Sequence, residues 1–225
     1  MIENKDTDSF CTSQKSRTTF RNMTLSDLKT AFEEPLPGIK GHQLLMPSYR
    51  NSLNLEAVEC KNPKRAGVLV HLFEGDDGIE VLLMKRPVYD GTHSGQISFP
   101  GGKFEEDDHT LEHTAYREAF EEVGLRKDEL LPLGALSWLY IPPSNFYVEP
   151  YVSYSPALPE LVLEEKEVAY TLSIPLNKIC DRSIVDDAEV MTKYGALRVP
   201  AFHWQGEVIW GATAMILGEL SALFS

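Results

Sequence analysis

From Ala66 onward the apolar residues recur in strand-like runs. AGVLVHLF and IEVLLMKR flank GDDG, a hairpin signal, and QISF at 96–99 is a short strand running into Pro100-Gly101-Gly102. The rhythm then changes. From about Asp108 to Val123 the spacing predicts a helix. At about 100° per residue, Leu111, Ala115, Tyr116, Ala119, Phe120 and Val123 share half the circumference and form the face expected to be buried. Glu118 and Glu122, one turn apart, form with Glu121 an acidic ridge at its edge. LGALSWLYIPP and FYVEPYVSY are two β-rich runs, EVAYTLSIP is another strand, and PLNKICD is a short helix or turn. MTKYGALRVPAFHWQGEVIWG reads as a strand, a bend and a hairpin around Gln205-Gly206. WGATAMILGELSALFS reads as an amphipathic terminal helix, interrupted by Gly218 and Glu219.

Ahead of this block, LSDLKTAFEE has helical spacing at Leu25, Leu28 and Phe32, with Ser26 as cap, and PLPGIKGHQ breaks it. Residues 1 to about 20 are polar and loosely held. The chain therefore divides into an N-terminal extension, 1–63, packed on a main domain, 64–225. Strands on both sides of a central helix place it in the α/β or α+β class.

With 225 residues the chain can bury a core without staples. A net charge of -13 and no basic patch argue against a nucleic-acid surface. No apolar run approaches a membrane span, and the first twenty residues lack a secretory h-region. Cys11, Cys60 and Cys180 are scattered and odd in number, which suits a reducing cytosol rather than a zinc or disulfide framework.

The crowded carboxylates raise a question of charge. Glu118, Glu121 and Glu122 repel one another, and acids near a helix C-terminus oppose its dipole. Cations are expected among them. Arg117 and Glu121 are i,i+4 neighbours and can pair. The Gly101-Gly102 turn lets a backbone carbonyl approach a ligand. Carboxylates plus a carbonyl suit Mg²⁺ or Mn²⁺.

These residues resemble the Nudix box. Arg117-Glu118-Ala119-Phe120-Glu121-Glu122-Val123-Gly124-Leu125 matches its second half completely. The first half departs: five residues separate Gly102 from Asp108, which stands where the box has Glu, and eight rather than seven residues separate Asp108 from Arg117. That departure, with LLMKRPVYDGTHSGQISFPGG upstream and VPAFHWQGEVIWGATAMIL at the end, resembles the coenzyme A pyrophosphatase branch of the Nudix hydrolases, over residues 64–224.

The resemblance implies an α/β/α sandwich around a mixed sheet and metal-dependent hydrolysis of a pyrophosphate. Glu118 and Glu122 would be metal ligands, Glu121 a ligand to a further ion or the catalytic base, and the Gly101 carbonyl a further donor. Arg117 would orient the glutamates, with Asp108 at the helix start. A carboxylate on a later mobile loop is the other candidate base, and the favoured one. LVLEEKEVAY offers Glu165 for that role and Glu167 as an extra metal ligand. His93 and Gln96 match the branch signature and would contact substrate. Arg86 ends a strand, and its fork suits a phosphate. Gly95 and Phe99 serve loop and core. Tyr140, Phe146 and Tyr151 could stack on adenine, but as strand aromatics they read first as core, as do Trp138 and Trp210; His109 and His113 read as surface residues.

The implied substrate is a small nucleotide-derived molecule of the coenzyme A type, and the superfamily's common homodimer is the expected assembly. ADP-ribose or NADH hydrolysis is the near alternative. A Nudix-fold binding module without chemistry is a different class, disfavoured because all three box glutamates are present. A calcium-binding structural domain lacks its D-x-[DN]-x-[DN]-G loop.

Overall fold

The computed structural model describes residues 23–48, 61–89, 93–192 and 195–224. Cys11, Cys60 and the polar start lie outside them. The first elements are α1 (Leu25–Glu33) and α2 (Ile39–His42), followed by a 3₁₀ turn at Gln43–Leu45. Thr24, not Ser26, caps α1. The Asp27 N–H donates to the Thr24 hydroxyl at 3.3 Å, and the Thr24 N–H donates to the Asp27 carboxylate at 2.8 Å. This reciprocal box needs an acid three residues after an extended cap residue, and Ser26 already lies inside the first turn.

The central sheet is built on β1 (Lys64–Gly75), which turns at Asp76-Asp77 into β2 (Gly78–Lys85), as the GDDG signal predicts. Next come β3 (Ile97–Ser98), β4 (Gly101–Lys103), the helix α3 (Leu111–Val123), β5 (Leu131–Ala135), β6 (Leu139–Ile141), β7 (Phe146–Ser155) and β8 (Tyr170–Pro175). The order is β3-β2-β1-β7-β5, with β4 on β1, β6 on β7 and β8 on β2. Among the described residues of this sheet only the long β1–β7 pairing, Lys64↔Phe146 to Phe73↔Ser155, is parallel, so the sheet is mixed. The β-rich run LGALSWLYIPP contributes to two strands, since the chain leaves the β7 ladder after Ala135 and rejoins it at Leu139.

Side-chain alternation along β1 assigns the layers. Leu69 and Phe73 face α3, packing with Ala115, Tyr116, Ala119 and Val123. Val70 and Leu72 face the other way, into the core shared with Leu28, Leu45 and the final helix. That helix, α5 (Gly211–Leu223), follows α4 (Leu176–Asp181) and a separate antiparallel sheet of β9 (Val185–Thr192), β10 (Gly195–Trp204) and β11 (Glu207–Trp210). The result is a three-layer α/β/α sandwich around a mixed sheet.

The terminal helix corrects an expectation. It is not amphipathic: every residue from Thr213 to Ser221 is buried. The sheet covers one side, while α2, the 3₁₀ turn and α4 cover others. Glu219 is held there by the His42 imidazole at 2.9 Å and by the N–H groups of Gly38 and Ser137, each at 3.0 Å. The segment at 25–48 thus supplies a wall of the main core.

Candidate metal and catalytic site

The α3 helix lies tight against β1 because Gly67 has no side chain; a Cβ there would strike the Leu111 carbonyl. β4 pairs with β1 through Val68↔Gly101 and Gly67↔Gly102. The Gly101-Gly102 backbone therefore runs directly beneath α3. A Cβ on Gly102 would enter the Glu118 carboxylate, and one on Gly101 would fall 2.5 Å from the Gly67 carbonyl oxygen.

The helix starts at Leu111, capped by the Thr110 hydroxyl, which accepts the His113 N–H at 3.1 Å. Asp108 lies ahead of the cap, buried, not at the helix start as expected. It works as an anchor. Arg117 donates to it through Nε and Nη2 at 2.9 Å each, and the Thr114 hydroxyl, His113 Nδ1 and Glu105 N–H complete its shell. The Arg117 fork holds the Asp108 carboxyl far below the usual carboxylate range. Arg117 Nη1 donates to Glu118 and Glu121, both at 3.0 Å. The expected i,i+4 pair is present, and one guanidinium orients three carboxylates.

The helix is rotated from the expected arc. Phe120 is 57% exposed, while Glu122 is 1% exposed. At about 100° per residue, Glu122 falls between Leu111 and Ala115, in the middle of the buried arc, which extends to Thr114 on one side and stops short of Phe120 on the other. The buried Glu122 carboxylate accepts the Gly101 N–H at 2.7 Å and Arg86 Nη2 at 3.3 Å. The same Nη2 donates to the Gly101 carbonyl at 3.3 Å. Burial pushes the Glu122 carboxyl up to about 8; Arg86 and the Gly101 N–H oppose this, and Glu118 and Glu167 add to it. Burial raises Glu118 as well, Arg117 opposes it, and Glu121 and Glu167 reinforce it.

The segment carrying Glu165 and Glu167 is stitched to the end of α3. The Val162 N–H donates to the Val123 carbonyl at 3.1 Å and the Glu164 N–H to the Glu122 carbonyl at 2.9 Å. A turn follows, and buried Val168 anchors it in the core beneath α3. Glu167 is thereby brought within electrostatic range of Glu118 and Glu122, while Glu165 is exposed on the same turn. Glu121 is half-exposed at the rim. Among the described residues no three His, Cys, Asp or Glu side chains converge closely enough to hold a metal as they stand. The positive charge seen among the carboxylates belongs to Arg86 and Arg117.

His93 and Gln96 bond to each other, Nδ1 to Oε1 at 2.9 Å. Their loop clasps the backbone of Arg86: the Arg86 N–H donates to the Gln96 carbonyl and the Gly95 N–H to the Pro87 carbonyl, both at 3.0 Å. Sequence reasoning missed this support and the contact of Arg86 with Glu122, because both depend on a loop folding back. It also missed His113 as a partner of Asp108, although His113 is exposed as expected. His109 is exposed, and Tyr140 and Phe99 are buried. Phe146, Tyr151 and Trp210 are half-buried, and Trp138 stacks on Tyr147 with centroids 4.8 Å apart. Cys180 is free, its thiol pushed up to about 12 by burial, and among the described residues no helix is long and apolar enough to cross a membrane.

The NUDIX domain model matches residues 63–190. A Yersinia pestis (strain Pestoides F) protein described as uncharacterized Nudix hydrolase NudL is 32% identical over 183 residues, covering 81% of this chain and 91% of its own. Among solved structures, a NUDIX hydrolase from Alicyclobacillus acidocaldarius is similar at 19% identity and a TM-score of 0.47, over 71% of this chain and 91% of that one. The NUDIX domain of Shewanella oneidensis NrtR, cocrystallised with ADP ribose, is similar at 18% identity and a TM-score of 0.42, over 60% and 88%. The match to the domain model over more than half of the chain, and the NudL alignment over most of both chains, show that this protein belongs to the Nudix hydrolases, enzymes that split a pyrophosphate bond.

Proposed function

We propose that the enzyme hydrolyses the pyrophosphate of coenzyme A or its derivatives, releasing 3',5'-ADP and 4'-phosphopantetheine or its acylated form. The observation that carries this reading is the His93–Gln96 loop. The residues resembling the branch signature form one unit that fixes Arg86 beside the carboxylate helix.

The Gly101 carbonyl, Glu118, Glu122, Glu121 and Glu167 would hold Mg²⁺ or Mn²⁺. The donor set fits: every donor is oxygen, which suits a hard divalent cation. Glu118 and Glu122 also repel each other and Glu167, which a cation would relieve. When bound, the ion lowers the pKa of water and neutralises charge on the phosphoryl oxygens. Arg117, held by Asp108, keeps Glu118 and Glu121 oriented. Glu165 takes the proton of the attacking water, with Glu121 as the alternative base. Arg86 meets a phosphate oxygen, and His93 and Gln96 position the substrate. The scattered, odd cysteines suit a cytosolic enzyme.

The test is a product assay with Mg²⁺ or Mn²⁺ on coenzyme A, ADP-ribose, NADH and diadenosine polyphosphates, read by chromatography and mass, with Glu122→Gln as control. Release of 3',5'-ADP from coenzyme A, lost in the variant, supports the reading. Preference for ADP-ribose or NADH sinks the substrate assignment but keeps the chemistry.

A further inference from the structure

We infer that Arg86 is a resident counter-cation of the carboxylate site, and that a divalent ion binds there by displacing its guanidinium from Glu122 and the Gly101 carbonyl. The inference rests on reading those two groups as metal ligands. It is independent of the coenzyme A assignment.

A single nitrogen, Arg86 Nη2, stands 3.3 Å from both the Gly101 carbonyl and the Glu122 carboxylate. These are two of the oxygen donors proposed for the metal. A divalent ion on these donors would stand within a few ångströms of the guanidinium, and like charges that close in a poorly solvated place repel strongly. Two features decide which one moves. Both Arg86 contacts are long for a charge-assisted hydrogen bond, whereas the Gly101 N–H holds Glu122 at 2.7 Å. Glu122 is sealed in, but the Arg86 side chain is 24% exposed and has a path outward.

The backbone beneath Arg86 is fixed. Its N–H donates to the Gln96 carbonyl at 3.0 Å, and the neighbouring Lys85 carbonyl accepts the Ala169 N–H at 2.8 Å. The side chain therefore pivots while its root stays in place. Once displaced, the fork is left without its carboxylate beside a newly cationic site, and a phosphate oxygen is the partner its geometry suits. Metal binding thus prepares the anion site. In chelator Arg86 supplies hydrogen bonds to the buried Glu122 carboxyl and the Gly101 carbonyl, and losing them costs stability.

Mn²⁺ binding to the full chain, without substrate, tests this for wild type, Arg86→Gln and Glu122→Gln, alongside thermal unfolding in chelator. Arg86→Gln should bind Mn²⁺ about tenfold tighter, roughly 1.4 kcal/mol. It should also melt lower in chelator and gain more from Mn²⁺ than wild type. Unchanged or weaker Mn²⁺ binding in a folded Arg86→Gln overturns the inference, while loss of binding in Glu122→Gln keeps the ligand reading. If wild type binds no Mn²⁺, both fall. A second measurement needs no variant: the ¹⁵Nε signal of Arg86 in wild type should lose its restricted, hydrogen-bonded character when Mg²⁺ is added. A signal that Mg²⁺ leaves unchanged overturns the inference on its own.

Discussion

Arg117 grips Asp108 through two nitrogens, each 2.9 Å from a carboxylate oxygen, across nine residues of chain. The shortened acid and the extra residue before the helix thus still deliver a carboxylate to the arginine, from a buried position ahead of the cap. Asp108→Asn removes the charge that Arg117 answers. It should cost about 3 kcal/mol, as for a broken buried ion pair, and lower kcat, because Arg117 also orients Glu118 and Glu121. Urea unfolding followed by tryptophan fluorescence, with a kcat measurement on the same preparation, checks both. Arg117→Lys should not restore the wild-type rate, since one ammonium cannot replace a fork.

Glu122 gives the metal-free protein a distinctive pH dependence. Burial raises its carboxyl to about 8, so the folded state holds a proton that the unfolded chain releases near the ordinary value. That contribution to stability is complete at low pH and is lost as pH climbs through about 8. The midpoint in chelator should therefore fall between about pH 5 and pH 8. Scanning calorimetry should show that slope in wild type and a flatter one in Glu122→Gln. Mn²⁺ affinity should rise over the same window, because the ligand must lose its proton to bind.

The two site glycines should fail in different ways. The atoms nearest a Cβ on Gly102 belong to the carboxylate end of Glu118, which can swing aside. Gly102→Ala should fold with a near-normal melting midpoint yet bind Mn²⁺ weakly. Gly101 has φ +150, and its added Cβ would meet the backbone of Gly67 and Val68. Gly101→Ala should lose about 2 kcal/mol or more of stability. Calorimetry and Mn²⁺ titration of both variants separate the outcomes.

His42 and Glu219 join the two ends of the described chain in a place closed to water. Glu219→Ala leaves the His42 ring and the N–H groups of Gly38 and Ser137 unpaired, which should cost about 3 kcal/mol. The double variant with His42→Ala should cost less than the sum of the two, since they share one interaction. Chemical denaturation of the four proteins completes that cycle.

The sequence by itself determined the features that short-range chemistry encodes. Two-residue alternation with Asp76-Asp77 between Gly75 and Gly78 drew the first hairpin, and apolar spacing drew the helix through Leu111 and Val123. The Arg117–Leu125 run carried the family, because charge and helical spacing there are local facts. Tertiary structure alone decided what depends on contacts across the chain. Glu122 rather than Phe120 is buried because β1 and the Gly101 turn cover one particular arc of the helix, which periodicity locates only to within half a turn. The terminal helix is buried all round because residues 25–48 return to cover it. Arg86 meets a glutamate 36 residues away only because the His93–Gln96 loop fixes its root. Sequence spacing states which side chains can neighbour one another along an element; packing selects which distant groups close the remaining faces, and so which carboxylate meets which cation.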